Sequence, residues 1–69
     1  PQDVPVGSEG IRLGPFMKFA SILDSGGDVK EAIIDGFVEV NGEVDRRRGR
    51  QLQVGDVVPF EGRSFRVQA

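Results

Sequence analysis

The sequence predicts an α+β fold in which two N-terminal helices pack on a small, mostly antiparallel sheet of four to five short strands. Apolar residues recur at helical spacing through residues 13–33, and after Gly36 the apolar period changes to two. Two hairpin signals, Asn41-Gly42 and Glu61-Gly62, lie in the strand-like part. A chain of 69 residues has room for one thin core, so we expect a single domain.

The N-terminal stretch PQDVPVGSEG mixes proline, glycine and polar residues without periodicity. This composition is typical of a loosely attached segment. We therefore expect residues 1–10 to form a flexible leader and residues 11–69 to form the folded domain.

The first predicted helix covers roughly residues 14–23. Gly14 is available as its cap, and Pro15 suits the first helical position because its fixed φ is already helical and its missing N–H is not needed there. Helical spacing is carried by the apolar residues Leu13, Phe16, Met17, Ala20 and Leu23.

The second predicted helix begins at Ser25, a favourable N-cap with an acidic residue, Asp28, three positions on. Gly36 is expected to end this helix in the left-handed conformation. The connection between the helices is short, so their apolar stripes should face a common partner supplied by the strands. The stripe of the second helix consists of Val29, Ala32 and Ile33.

Strand-like residues follow Gly36. Residues 37–40 and 43–44 flank Asn41-Gly42, the strongest short hairpin signal. A two-residue turn would pair one charge with one valine at each position, so a bulged connection is equally consistent with the pattern.

The last hairpin has a clearer pattern. Around Glu61-Gly62, one face collects apolar residues, and Pro59 predicts an edge position because it cannot donate a ladder hydrogen bond. That apolar face consists of Val58, Phe60, Phe65 and Val67. We assign Phe16, Phe37, Phe60 and Phe65 to the core and none of them to stacking on bases.

Composition restricts the chemistry. Cysteine, histidine, tyrosine and tryptophan are absent, which excludes disulfides, thiol nucleophiles, imidazole bases and nearly every zinc site. We expect no enzyme activity, no cofactor and no metal. No segment reaches the length of a membrane span and no signal peptide is recognisable, so we expect a cytoplasmic monomer without a membrane partner.

Charge is distributed unevenly along the chain. The net charge is −2, yet residues 46–69 carry six arginines against two acidic residues, a local charge of +4. A polyanion responds to the local potential within about 10 Å, so an acidic total does not exclude nucleic acid. Arginine clamps phosphate bidentately, and Gly49 lets the loop bend around a backbone. The run consists of Arg46, Arg47, Arg48 and Arg50.

A plainer interpretation of the run remains open. Glu43 and Asp45 precede it and could hold Arg46, Arg47 or Arg48 in surface salt bridges, which contribute about 0–1 kcal/mol each.

The runs IRLGPFMKFA and SGGDVKEAIIDGFVEVNGEVDRRRGRQLQVGDVV together resemble the RNA-binding domain first recognised in ribosomal small-subunit protein four, the S-four or alpha-L domain. Within that superfamily the chain is most similar to small stand-alone bacterial members of the YbcJ type. The resemblance covers about residues 11–60 and implies non-catalytic binding of structured RNA, of ribosomal or transfer type, through the helix pair and the following loop.

Transferred by position, the resemblance implies an RNA-binding surface that combines both helices with the arginine run. Many members carry Ser-Arg at the start of the second helix, where this chain has Ser25-Gly26 followed by Gly27 and Asp28. Glycine amides at a helix start could still bind phosphate, although Asp28 would compete with it. The candidate residues are Arg12, Lys18, Ser25, Gly26, Gly27, Lys30, Arg46, Arg47, Arg48 and Arg50.

Two other functions are suggested by parts of the sequence. A ubiquitin-like sulfur carrier is also suggested by VNGEVDRR and LQVGDVV, but such carriers need a Gly-Gly end and this sequence finishes with RVQA. A protein-interaction adaptor that docks acidic partners through the arginine run remains the stronger alternative.

Overall fold

A computed structural model describes residues 1–23 and 25–69. In this part of the chain, two short strands precede two helices, and five further strands follow. The elements are β1 (Gln2–Pro5), β2 (Ile11–Arg12), α1 (Leu13–Phe19), α2 (Gly26–Ile34), β3 (Glu39–Val40), β4 (Glu43–Val44), β5 (Gln51–Leu52), β6 (Val57–Phe60) and β7 (Arg63–Gln68). Neither helix within the described ranges has the length and apolar character needed to cross a bilayer.

The α+β class is confirmed, but the arrangement of strands differs from the prediction. The helices are not N-terminal, because β1 and β2 come before them. The described residues hold seven short strands, two more than the upper limit of the prediction. Three small sheets result, with strand orders β1-β7-β6, β2-β5 and β3-β4. All pairings are antiparallel except that of β1 with β7, which is parallel.

The prediction of a flexible leader is wrong for β1. This strand lies beside β7 in register, with Val4 opposite Val67, and the Val4 side chain is buried in the core. Asp3 also accepts a hydrogen bond from the Arg66 guanidinium at 2.7 Å. The pattern could not reveal this strand because β1 contributes a single core residue between prolines, and its partner lies at the opposite end of the sequence.

Helix α1 is shorter than predicted and ends at Phe19. Ser21 adopts a left-handed φ of 56°, and its N–H donates to Lys18 O while the Ile22 N–H donates to Met17 O. These two bonds form a Schellman ending, which usually uses glycine at the left-handed position. The N-cap is Arg12 and not the predicted Gly14, and Pro15 is the third helical residue, still in the first turn, where a missing N–H costs nothing.

Helix α2 begins and ends as predicted. The Ser25 hydroxyl accepts the N–H of Asp28 at 3.1 Å and caps the first turn. Gly36 has a φ of 84°, and the N–H groups of Gly36 and Phe37 donate to Ile33 and Ala32 in a second Schellman ending.

Both hairpins have two-residue turns with left-handed backbone at both positions, as type I′ turns require. The φ values are 54° and 86° at Asn41-Gly42, so the bulged alternative for this hairpin is excluded. They are 50° and 79° at Glu61-Gly62. Pro59 lies on β6, at the edge of its sheet, as predicted.

The core forms where α1 and α2 cover the buried faces of the strands. The prediction that Phe37 belongs to this core is wrong, because its side chain is 71% exposed. Val38 and Val40 point inward, and strand alternation then turns Phe37 outward. Phe60 is only half-buried. The buried apolar residues are Val4, Leu13, Phe16, Met17, Val29, Ile33, Val38, Val40, Leu52, Val58, Phe65 and Val67.

Valine at Gly36 or Gly42 is expected to lower the free energy of unfolding by more than about 1 kcal/mol, because each glycine has a left-handed φ that valine strongly disfavours. The two sites differ in one respect. A Cβ at Gly36 would lie 2.7 Å from an Arg46 guanidinium nitrogen, whereas a Cβ at Gly42 meets nothing within 4 Å. Chemical denaturation of both variants measures the loss, and an unchanged stability at either site contradicts the strain argument there.

Candidate nucleic-acid interface

The arginine loop, residues 45–50, connects β4 to β5 and is bound by its backbone to the start of α1. The N–H of Leu13 donates to Arg50 O at 2.8 Å, and the N–H of Gly14 donates to Arg48 O at 3.0 Å. A guanidinium nitrogen of Arg12 donates to Gly49 O at 3.0 Å. The first amides of α1 are therefore used to fix the loop, and the loop has a defined shape before any ligand binds.

Asp45 organises the loop from inside. Its side chain is only 6% exposed, and its carboxylate accepts three hydrogen bonds from Arg47, one of them from the backbone N–H, and one from Arg50. The hydrogen bonds from Arg47 are the main reason that the pKa of Asp45 lies well below its usual value of 3.8, although burial opposes the shift. Asp45 therefore stays ionised and holds two loop arginines in fixed positions.

Arg47 and Arg50 thus have internal partners. The salt-bridge interpretation is confirmed for Arg47, whose guanidinium lies 2.8 Å from Asp45 while its side chain remains 74% exposed. Arg50 lies 3.0 Å from the same carboxylate and is 28% exposed. Arg47 can still present its outer edge to a ligand, whereas Arg50 mainly supports the loop.

Arg46 and Arg48 have no carboxylate partner among the described residues. The Arg46 guanidinium lies against Gly36 at the C-terminus of α2, where the helix dipole favours a cation. The Arg48 side chain lies against Gly14, because a Cβ added to Gly14 would be 3.4 Å from Arg48 Nε. Both glycines leave room for an arginine to lie close to a helix.

The two lysines continue the positive surface away from the loop. Lys18 lies one turn beyond Gly14 on the same side of α1, and a Cβ on Gly26 would lie 4.0 Å from its ammonium nitrogen. Lys30 lies one turn beyond Gly26 on α2. Arg48, Lys18 and Lys30 therefore follow one another from the loop across both helices, and we call these three residues the cationic strip.

The turn before α2 has a structural role in the described residues. Ser25 is the helix cap, and Gly26 and Gly27 are the first two helical residues. The exposed Asp28 lies in the same first turn. The structure thus brings Ser25, Gly26 and Lys18 together, while phosphate binding by the glycine amides stays a prediction.

A depression of about 510 Å³ lies at the arginine loop. Arg46, Arg47 and Arg50 line it together with residues 43–45. Its three arginines can attract a phosphate group, but Asp45 already pairs with Arg47 and Arg50, and Glu43 adds a second carboxylate to the lining. Arg46 is therefore the cation of this depression that is available to a phosphate.

The residue that sequence reasoning underestimated is Asp45. The sequence predicts a surface ion-pair partner at this position, but Asp45 is buried and contacts two arginines. The available signal was a carboxylate directly before an arginine run at the end of a short strand. Burial could not be read from it, because it depends on the packing of the loop against α1 and on the bond from Asp45 N–H to Val38 O.

Comparison with known proteins gives consistent matches over nearly the whole chain. The family model described as "S4 domain" matches residues 4–68. The chain is 48% identical over 65 residues to a Bacillus subtilis protein named "Probable ribosome maturation protein RlbA", covering 93% of this chain and 92% of that protein. It is 34% identical over 59 residues to the Escherichia coli protein YbcJ, covering 86% and 84% of the two chains.

Solved structures resemble the fold as well. The solution structure of Escherichia coli YbcJ, described as revealing an αL motif involved in RNA binding, matches with a TM-score of 0.73 and 31% identity over 97% of this chain and 86% of the other. The 30S ribosomal protein S4e of Thermoplasma acidophilum matches with a TM-score of 0.58 and 22% identity over 78% of this chain and 27% of the other, a likeness of fold alone.

Proposed function

The chain belongs to the S4 domain family, and from this premise we propose that it is a non-catalytic protein that binds structured RNA through its arginine loop and helix pair. The observation that carries the proposal is the arrangement of cations. A pre-shaped arginine loop leads into the cationic strip, although the chain as a whole is acidic.

The residues of the proposed interface either contact RNA or hold the loop in position. Arg46, Arg48, Lys18 and Lys30 have no carboxylate partner in residues 1–23 and 25–69, so their charge is available to phosphates. Arg12 fixes Gly49 with one nitrogen and keeps further donors for a ligand. Asp45 and Arg50 act as positioning residues, because they fix the loop from within.

Recognition of shape is the second part of the proposal. Successive cations on a rigid surface select RNA by the spacing of its phosphates, which a folded stem presents in a fixed arrangement. No aromatic residue belongs to the proposed contact set, so unpaired bases gain little from stacking.

The names of the relatives favour ribosomal RNA over transfer RNA as the ligand, and they favour a cytoplasmic location. We propose that the protein acts as a monomer.

Two salt titrations test this function, one with an RNA stem-loop and one with a poly-uridine strand of equal length. If Arg12, Lys18, Lys30, Arg46 and Arg48 each neutralise one phosphate, log K falls with log salt at a slope of roughly −3.5 to −4.5. The stem-loop is expected to bind more tightly, because both ligands have the same number of phosphates but only the stem-loop presents them in a fixed arrangement.

Different results separate the alternatives. A steep slope without stem-loop preference contradicts recognition of shape, and a slope near zero contradicts RNA binding by these cations. An acidic peptide serves as the competitor for the adaptor function. If it displaces the stem-loop at equal concentration of negative charge, docking of acidic partners becomes the better account of the arginine loop.

A further inference from the structure

The side of α2 that faces away from Lys30 borders a groove closed on its other side by the turn between β6 and β7. The groove has a volume of about 420 Å³ and combines apolar side chains with carboxylates. We call it the acidic groove. Its apolar residues are Leu23, Ala32, Phe37 and Phe60, and its acidic residues are Asp28, Glu31, Asp35 and Glu61.

All charged side chains that line the acidic groove are negative. Asp28 and Glu31 lie on one face of α2 and the C-cap Asp35 continues it, while Lys30 lies on the opposite face. None of the groove's lining residues is a lysine or arginine, and its four carboxylates make no ion pair within the described ranges. Like charges three and four positions apart weaken a helix, so Glu31 and Asp35 do not stabilise α2.

The apolar part of the groove is fixed in an exposed position. Phe37 follows the left-handed Gly36, and its N–H donates to Ala32 O at 3.0 Å, so the backbone holds the ring at the groove. Its side chain is 71% exposed. An exposed ring adds little to folding, and here Leu23 and Phe60 extend its apolar surface within the groove. Contiguous apolar surfaces with polar rims commonly mark contacts with other proteins.

We propose that the acidic groove binds a lysine- or arginine-rich protein segment that carries one large apolar side chain. The carboxylates match the positive charges of such a segment, and Phe37 and Phe60 receive its apolar residue. RNA is repelled from this face by the same carboxylates. The cationic strip and the acidic groove use opposite sides of α2, so RNA and a basic protein segment can be bound together.

A basic peptide with one central phenylalanine tests this contact by fluorescence anisotropy, with a second peptide that has serine in its place. We expect the phenylalanine peptide to bind more tightly. Phe37→Ser and the double variant Glu31→Gln, Asp35→Gln are each expected to weaken its binding by about tenfold, since removal of a central interface contact usually has an effect of this size.

Matched controls remove the same groups elsewhere. Phe19→Ser replaces another exposed phenylalanine, and the pair Glu9→Gln, Glu43→Gln removes two exposed carboxylates outside the groove. These controls should bind the peptide like the original protein. The affinity for the RNA stem-loop should stay the same in Phe37→Ser, and in Glu31→Gln, Asp35→Gln it should rise by no more than in the control pair Glu9→Gln, Glu43→Gln, because both pairs remove two negative charges. Circular dichroism verifies that each variant is folded.

Three results would overturn the proposal. If groove and control variants lose the same peptide affinity, the peptide is attracted by the net charge of the protein and not by the groove. If the serine peptide binds as tightly as the phenylalanine peptide, Phe37 and Phe60 do not receive an apolar side chain. Sedimentation that reveals self-association, abolished by Glu31→Gln, Asp35→Gln, would mean that the groove receives the arginine loop of a second copy instead.

Discussion

Replacement of Asp45 by alanine is expected to lower the free energy of unfolding by about 2 kcal/mol, because it removes several charge-assisted hydrogen bonds to a buried carboxylate. RNA affinity is expected to fall as well, by about tenfold, since the loop must then be ordered on binding. Net charge alone predicts tighter RNA binding, because the variant makes the loop more positive. Denaturant titration and stem-loop binding measure the two effects.

Glu43→Ala is the matched control for Asp45→Ala. Glu43 is exposed, lies two positions away and makes no ion pair among the described residues. Its removal should leave stability unchanged and slightly strengthen RNA binding. If both variants strengthen RNA binding equally, the loop acts through charge and not through a shape that Asp45 maintains.

Asp45 also makes the stability depend on pH. Its pKa in the folded protein lies below the ordinary value of 3.8, so its stabilising effect is complete above that value and is lost as the pH falls below it. The difference in stability between the original protein and Asp45→Ala should therefore shrink in acid. A difference that stays constant from neutral pH to below pH 3.8 would contradict the buried ion pair.

The double variant Arg46→Ala, Arg48→Ala is expected to lower the affinity for an RNA stem-loop by about 100-fold and to reduce the salt slope by about 1.5. These two arginines of the loop have no carboxylate partner in the part of the chain that the structure describes. The cation of each is therefore free to pair with a phosphate. Stem-loop titrations over a range of salt concentrations measure both quantities.

Arg63→Ala, Arg66→Ala removes the same number of charges from β7 and serves as the control. Arg66 is paired with Asp3, and Arg63 lies over the ring of Phe65 at 4.8 Å. We expect this variant to change RNA affinity by no more than about threefold through long-range potential. If the two double variants lose the same RNA affinity, RNA is held by a diffuse electrostatic attraction and not by a localised interface.

Local structure followed from the sequence because its causes lie within a few residues. The cap at Ser25 and the stop at Gly36 each depend on hydrogen bonds inside one helical turn. The turns at Asn41-Gly42 and Glu61-Gly62 depend on which residues tolerate a left-handed backbone. Ser21 shows the limit of such rules, because it adopts the left-handed position at the end of α1 without being glycine.

The distribution of arginines also followed from the sequence, but their roles did not. Four cations within five residues are visible in the printed chain. Which of them are paired depends on the burial of Asp45, and the loop carrying it is held by the distant residues Leu13 and Gly14. Neighbouring arginines therefore differ in role, although the sequence presents them as equivalent.

Taken by itself, the sequence determined the α+β class, the helix pair, both hairpins and the positive loop, since composition and short-range periodicity decide these features. Only the tertiary structure decided that β1 pairs with β7, that Lys18 lies beside Gly26, and that Phe37 faces a groove of carboxylates. Each of these depends on contacts between segments separated along the chain. Such contacts are selected by the joint packing of the whole core, and a local pattern of residues does not contain them.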